Sequence, residues 1–165
     1  MPKTASHMLL TLTSLATLLK LAGVPYKSIL PIVALGVFVD LLIDLGHTGS
    51  GRSIVTHSIA TAPIVALLAY ISTVVFMAIL GPLIKPLALD ITSIQNLTLL
   101  GCLYTSLLHL ILDSLTCQGI HVPALGWVSM ADLESQGAVA NIIPVAISIA
   151  LIYFFWAGGW VWTPI

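Results

Sequence analysis

Apolar residues fall along this chain in five long runs, each closed by polar or helix-breaking residues. The first covers about 8–22 and stops at Gly23 and Pro25. The second covers about 28–45, with Pro31 in its first turn, where a missing N–H is tolerated. The third covers about 56–80, closes at Gly81-Pro82, and carries Pro63 where a kink is expected. The fourth covers about 91–115 and the fifth about 138–156. Between these last two lies a polar loop, 116–137, holding Gly119, Pro123, Gly126, Asp132 and Glu134. Apolar runs of this length predict helices, and about 20 residues are needed to cross the hydrocarbon of a bilayer. The first run is short by that measure. The pattern predicts an all-α fold: one domain, 1–165, built as a polytopic transmembrane bundle of four to five helices.

Composition supports that expectation. Apolar residues make up 59% of the chain and charged residues only 7%, against roughly 25% charged in a soluble domain. The partner this implies is the lipid bilayer, with homo-oligomerisation left open. A net charge of -1 offers no electrostatic footprint for nucleic acid. Lys20 can snorkel to headgroups, and Trp127, Trp156, Trp160 and Trp162 fit interfacial aromatic belts. Lys3 and the apolar run after it resemble a secretory leader, but no small-x-small cleavage site follows, so the run is expected to stay as a first helix. Cys102 and Cys117 would lie roughly 20 Å apart along a helix, too far for a disulfide.

Parity then gathers the polar residues. If each run crosses the bilayer once, His7, Asp40, Asp44, His47, His57, His109, Asp113 and His121 all fall at one membrane face. Lys20, Lys27 and Lys85 fall at the other face, against Lys3 and Arg52 at the histidine face. By the positive-inside rule the histidine face leans outward.

The densest cluster is His109-Leu-Ile-Leu-Asp113, whose four-residue spacing puts imidazole and carboxylate on one helical face. Ionisable groups at membrane depth are costly and point to function. Both are metal-ligand types, although a buried ion pair tying helices together is the alternative. Asp40, Asp44 and His47 share a second helical stripe; each is a candidate ligand, and His47 read alone is an ordinary loop histidine. Arg52 precedes Thr56-His57-Ser58 at the expected start of the third helix, where free N–H groups attract anions. There His57 is a candidate ligand, and Arg52 a clamp for phosphate or carboxylate. A free surface histidine is the ordinary reading of His121.

Taken in order, Thr4-x-x-His7, Asp40…Asp44-x-x-His47, Arg52…Thr56-His57-Ser58 and His109-x-x-x-Asp113-Ser-x-Thr116-x-x-Gly119 resemble the YdjM-like family of membrane-bound metal-dependent hydrolases. The resemblance runs to about Pro123, and Asn141 matches a further family position. Asp40 and Asp44 are spaced more widely than in the family pattern, and one residue is inserted between Arg52 and Thr56. The family is distantly similar to zinc-dependent phospholipase C and single-strand nucleases. By that resemblance Asp113 would bridge two zinc ions; His109, His57 and Asp44 or Asp40 would complete one, and His7 would help hold the other. The expected substrate-binding residues are Arg52, Thr56, Ser58 and Thr116.

The expected function is therefore hydrolysis of a phosphodiester or phospholipid-type substrate by one or two divalent metal ions, with zinc first in order. Asp44 or Asp40 would act as general base where it is not a ligand, with Arg52 assisting catalysis. The protein would be integral to a cell membrane or viral envelope and would take a lipid or amphiphilic substrate. The alternative is a non-enzymatic structural or scaffold protein whose His/Asp cluster ties helices together. An ion conductor is disfavoured, because the ionisable groups crowd one face.

Overall fold

The computed structural model describes residues 4–45, 47–48, 51–84, 91–134 and 137–157. Five helices form: α1 (Thr4–Leu21), α2 (Tyr26–Asp44), α3 (Ala62–Ile84), α4 (Ile91–Ser114) and α5 (Ala138–Phe155). Each long apolar run becomes one helix, because backbone polar groups inside a bilayer must be satisfied within their own segment. Three of them, spanning Tyr26–Asp44, Asn96–Ser114 and Ala138–Phe155, are long and apolar enough to cross a membrane.

The boundaries depart from the hydropathy pattern at two places. α1 starts at Thr4 rather than near Met8, which brings His7 into its first turn. α3 starts at Ala62, and residues 54–61 form turns instead of its first two helical turns. Pro63 therefore sits at the second helical position, where no N–H is needed, and the expected kink loses its cause. Pro31 moves the other way: with α2 starting at Tyr26 it lies in the second turn and omits one rung of the ladder.

Two small antiparallel hairpins interrupt the loops at the ends of α2 and α4. The first pairs β1 (His47–Thr48) with β2 (Gly51–Arg52), and the second pairs β3 (Ile120–Val122) with β4 (Gly126–Val128). The second hairpin lies across the turn before α3. His121 N–H donates to the His57 carbonyl at 2.9 Å, and Ile59 N–H donates to the His121 carbonyl at 3.1 Å.

α1, α2 and α4 make the centre of the bundle. Leu15, Leu19, Ile29, Ile32 and Val33 form one buried cluster; Val39, Ile43, Ala66, Ala69 and Cys102 form another. The outward faces of α3 and α5 carry exposed Ile64, Leu68, Ile71, Ile142, Ile149 and Tyr153. Such faces suit hydrocarbon rather than water. At the end of the bundle away from the histidines, Lys20 Nζ lies 4.6 Å from the Trp156 ring centroid, and Tyr26 meets the same ring edge-on. This is the belt arrangement expected of Trp156. Lys85, Trp160 and Trp162 lie outside the described residues.

α2 and α4 cross where Gly36 faces Thr105. A Cβ at Gly36 would stand 2.8 Å from both Thr105 Oγ1 and Leu15 Cδ2. Small residues at such crossings let membrane helices approach closely. Gly36→Leu is expected to lower bundle stability in detergent by about 1–3 kcal/mol through overpacking. Leu30→Ala, at a residue 75% exposed, should leave the unfolding midpoint nearly unchanged. A denaturation series on the two variants checks this.

Candidate metal centre

The end of the bundle where α2 and α4 finish and α1 begins is polar inside. His7 comes from the first turn of α1, Asp40 and Asp44 from the last two turns of α2, and His109 and Asp113 from the last two turns of α4. His57 arrives from the turn before α3, held there by backbone pairing with β3. The side chains of His57, His109 and Asp40 are fully buried and that of Asp113 nearly so, while Asp44 keeps 12% exposure. Parity expected the polar residues at one face, and His7, Asp40, Asp44, His57, His109 and Asp113 meet at this end of the bundle, while the His121 ring packs apart from them against Trp127. The His47 side chain lies outside the described residues; its backbone pairs with Arg52 across the first hairpin.

Two of the imidazoles are aimed through their Nδ1 atoms. His109 Nδ1 lies 2.9 Å from Asp40 Oδ1. A carboxylate there only accepts, so Nδ1 carries the proton and Nε2 keeps its lone pair. Thr56 Oγ1 lies 2.8 Å from His57 Nδ1 and fixes the orientation of that ring. Both Nε2 atoms then face Asp113 Oδ2, at 3.3 Å from His57 and 3.4 Å from His109. Asp44 Oδ1 is 3.6 Å from His109 Nε2. The His7 ring meets the His109 ring edge-on, with centroids 4.8 Å apart.

These separations suit a cation. Four ligands placed tetrahedrally at about 2.0–2.1 Å from zinc stand about 3.3–3.4 Å from one another. Two donor triads, His7–His109–Asp113 and Asp44–His57–His109, each bring one atom per residue within 4.8 Å of the others. His7 Nε2, His109 Nε2 and Asp113 Oδ2 are buried without a hydrogen-bond partner among the described residues. Buried polar atoms left in this way are costly in a bundle interior. Imidazole nitrogen with carboxylate oxygen is a donor set for zinc and similar divalent ions.

Arg52 packs against the back of this cluster. Its NH2 group lies 2.5 Å from Asp113 Oδ1, and its NH1 group donates to the Gly119 carbonyl and, at 3.3 Å, to the Asp113 carbonyl. Burial lowers the Arg52 pKa from its usual value, opposed by Asp113 and Asp44, yet a guanidinium stays charged. Gly119 is fixed in kind: it has φ +63, and a Cβ there would stand 2.2 Å from the Val128 carbonyl oxygen. The sequence offers Gly119 as a turn residue and as the last position of the motif, and neither points to its carbonyl as an acceptor for Arg52.

The remaining expected site residues have local partners. Thr116 Oγ1 donates to the Asp113 carbonyl at 2.8 Å, closing the end of α4. Ser58 Oγ lies 3.4 Å from His121 Nδ1, and the His121 ring meets Trp127 edge-on. Thr56 and Ser58 do not sit at a helix N-terminus, because α3 begins only at Ala62. Ser6 Oγ donates to Asn141 Oδ1 at 3.1 Å, fastening α1 to α5 at the same end. Replacing Arg52 with Ala strands a buried carboxylate, so Arg52→Ala should cost about 3–5 kcal/mol of stability. Unfolding in detergent would show that loss, whereas a shift under 1 kcal/mol would contradict the buried pairing.

No family model, curated protein or solved structure matches the chain.

Proposed function

We propose that this membrane-spanning protein is a metal-dependent hydrolase acting on phosphodiester or phospholipid-type substrates. The observation that carries the reading is that His57 Nε2 and His109 Nε2 both point at Asp113 Oδ2, at 3.3 and 3.4 Å, with both rings aimed from behind. A helix-tying network would satisfy its polar atoms from within; here His7 Nε2 and Asp40 Oδ2 are buried without a hydrogen-bond partner among the described residues. The motif resemblance to the YdjM-like hydrolases points the same way, and zinc is the ion this donor set favours.

His57, His109, Asp113 and His7 would hold the ion, with Asp44 at its open edge. A bound divalent ion supplies Lewis-acid chemistry: it makes water more acidic and polarises a phosphoryl oxygen. Asp40 keeps the proton of His109 on Nδ1 and so keeps Nε2 available. Thr56 orients His57. Arg52 fixes Asp113 rather than meeting substrate directly. Asp44, the most exposed carboxylate of the group, receives the proton of the attacking water. An exposed apolar perimeter would let an amphiphilic substrate reach that edge from the bilayer, and by the lysine count the site would face outward.

A second reading, a structural ion in a non-enzymatic membrane protein, draws on the near-complete burial of His57, His109 and Asp113. Metal analysis with activity assays separates the two. Purified protein in detergent should contain zinc, hydrolyse bis(p-nitrophenyl) phosphate or a phospholipid in mixed micelles, and lose both metal and turnover in His109→Ala. Asp44→Asn should keep the metal while turnover falls about 10²–10⁴-fold. Metal present without hydrolysis of either probe favours the structural reading, and a metal-free wild type removes both.

The carboxylate behind His109 gives a separate check. Asp40→Asn should weaken metal affinity about 10–100-fold, measured by competition with a chromophoric chelator. An unchanged affinity would show that Asp40 does not tune the ligand.

A further inference from the structure

The motif resemblance implies two ions sharing Asp113, but the geometry points to one: we propose that the centre takes a single divalent cation. This rests on reading the cluster as a metal centre.

The two donor triads have His109 in common. Its Nδ1 is committed to Asp40 at 2.9 Å, which leaves Nε2 as its one ligand atom. One imidazole nitrogen serves one ion, so the triads are two views of the same centre rather than two adjoining sites. Asp113 Oδ2 lies between the views, near both His57 Nε2 and His109 Nε2.

Asp113 is also poorly placed to bridge. A carboxylate spanning two ions about 3.5–4 Å apart gives one oxygen to each. Here Oδ1 is held by the Arg52 guanidinium at 2.5 Å, with both side chains 1% exposed. Only Oδ2 turns toward the imidazoles. Arg52 thus occupies the flank where a second ion would have to sit.

Charge gives the same count. The cluster holds three carboxylates, Asp40, Asp44 and Asp113, against one guanidinium, Arg52. Imidazoles that ligate are neutral, so the formal balance is two negative charges. Asp132 and Glu134, the acidic residues of the neighbouring loop, are exposed and do not add to it. One divalent ion brings the centre to neutrality. Two would leave it doubly positive, and uncompensated buried charge is among the most costly features a protein interior can carry.

The test is the metal-to-protein ratio of the wild-type chain in detergent. The protein is saturated with Zn²⁺ or Mn²⁺, freed of excess by gel filtration, and analysed by elemental mass spectrometry. One ion per chain is expected, and the Mn²⁺ form should give the electron paramagnetic resonance spectrum of an isolated ion. Two ions per chain, or the spectrum of a spin-coupled Mn²⁺ pair, would overturn the single-ion inference while leaving the metal centre standing. Retention of no ion by the folded protein would overturn both.

Discussion

A chain of contacts runs Asp40–His109–Asp113–Arg52–Gly119, and the organisation of the polar end depends on it. Each link fixes the atom that the next link needs. Asp40 decides which nitrogen of His109 faces inward, and Arg52 decides which oxygen of Asp113 does. Without Arg52 a buried carboxylate would lose its counter-charge, and without Asp40 a buried N–H would lose its acceptor; in an interior of low dielectric both are costly. The polar end of the bundle is therefore a network in which every member constrains another. At its middle His57 Nε2 and His109 Nε2 both face Asp113 Oδ2.

The scaffold supplies this network by simple means. α2 and α4 lie close because Gly36 and Gly101 admit neighbouring side chains against their backbones. That approach sets Asp40, one turn beyond Gly36, beside His109, one turn beyond Thr105. α1 completes the group by packing along both helices, which carries His7 to the same level. His57 has no helix to position it, and the second hairpin takes over that task through two backbone hydrogen bonds. The centre thus combines rigid helical ligands with one ligand held by a strand pairing.

Helix number and the meeting of the histidines were legible in the sequence because both follow from local quantities. Hydropathy marks the runs, helical periodicity aligns His109 with Asp113, and counting crossings brings His7, His57 and Asp44 to the same end. What was not legible came from contacts distant along the chain. Residues 54–61 include Ile54, Val55, Ile59 and Ala60, apolar enough to pass for helix, yet pairing with β3 keeps them in turns. Arg52 read as an anion clamp because nothing near it in sequence accepts its protons; two of its acceptors are on Asp113 and the third is the Gly119 carbonyl. The wide spacing of Asp40 and Asp44 left their parts ambiguous. In the fold they approach opposite nitrogens of His109.

The antiparallel path of α3 and α4 has a consequence for how such a chain can diversify. α3 carries the chain away from His57, and α4 brings it back with His109 and Asp113. Segments can be inserted between them only in pairs, since an odd addition would carry half of the centre to the other end of the bundle. Lengthening by helical hairpins keeps the polar end intact, whereas gain or loss of a lone span splits it irreparably. The architecture is thus permissive to duplication by twos and closed to single-step growth in its middle.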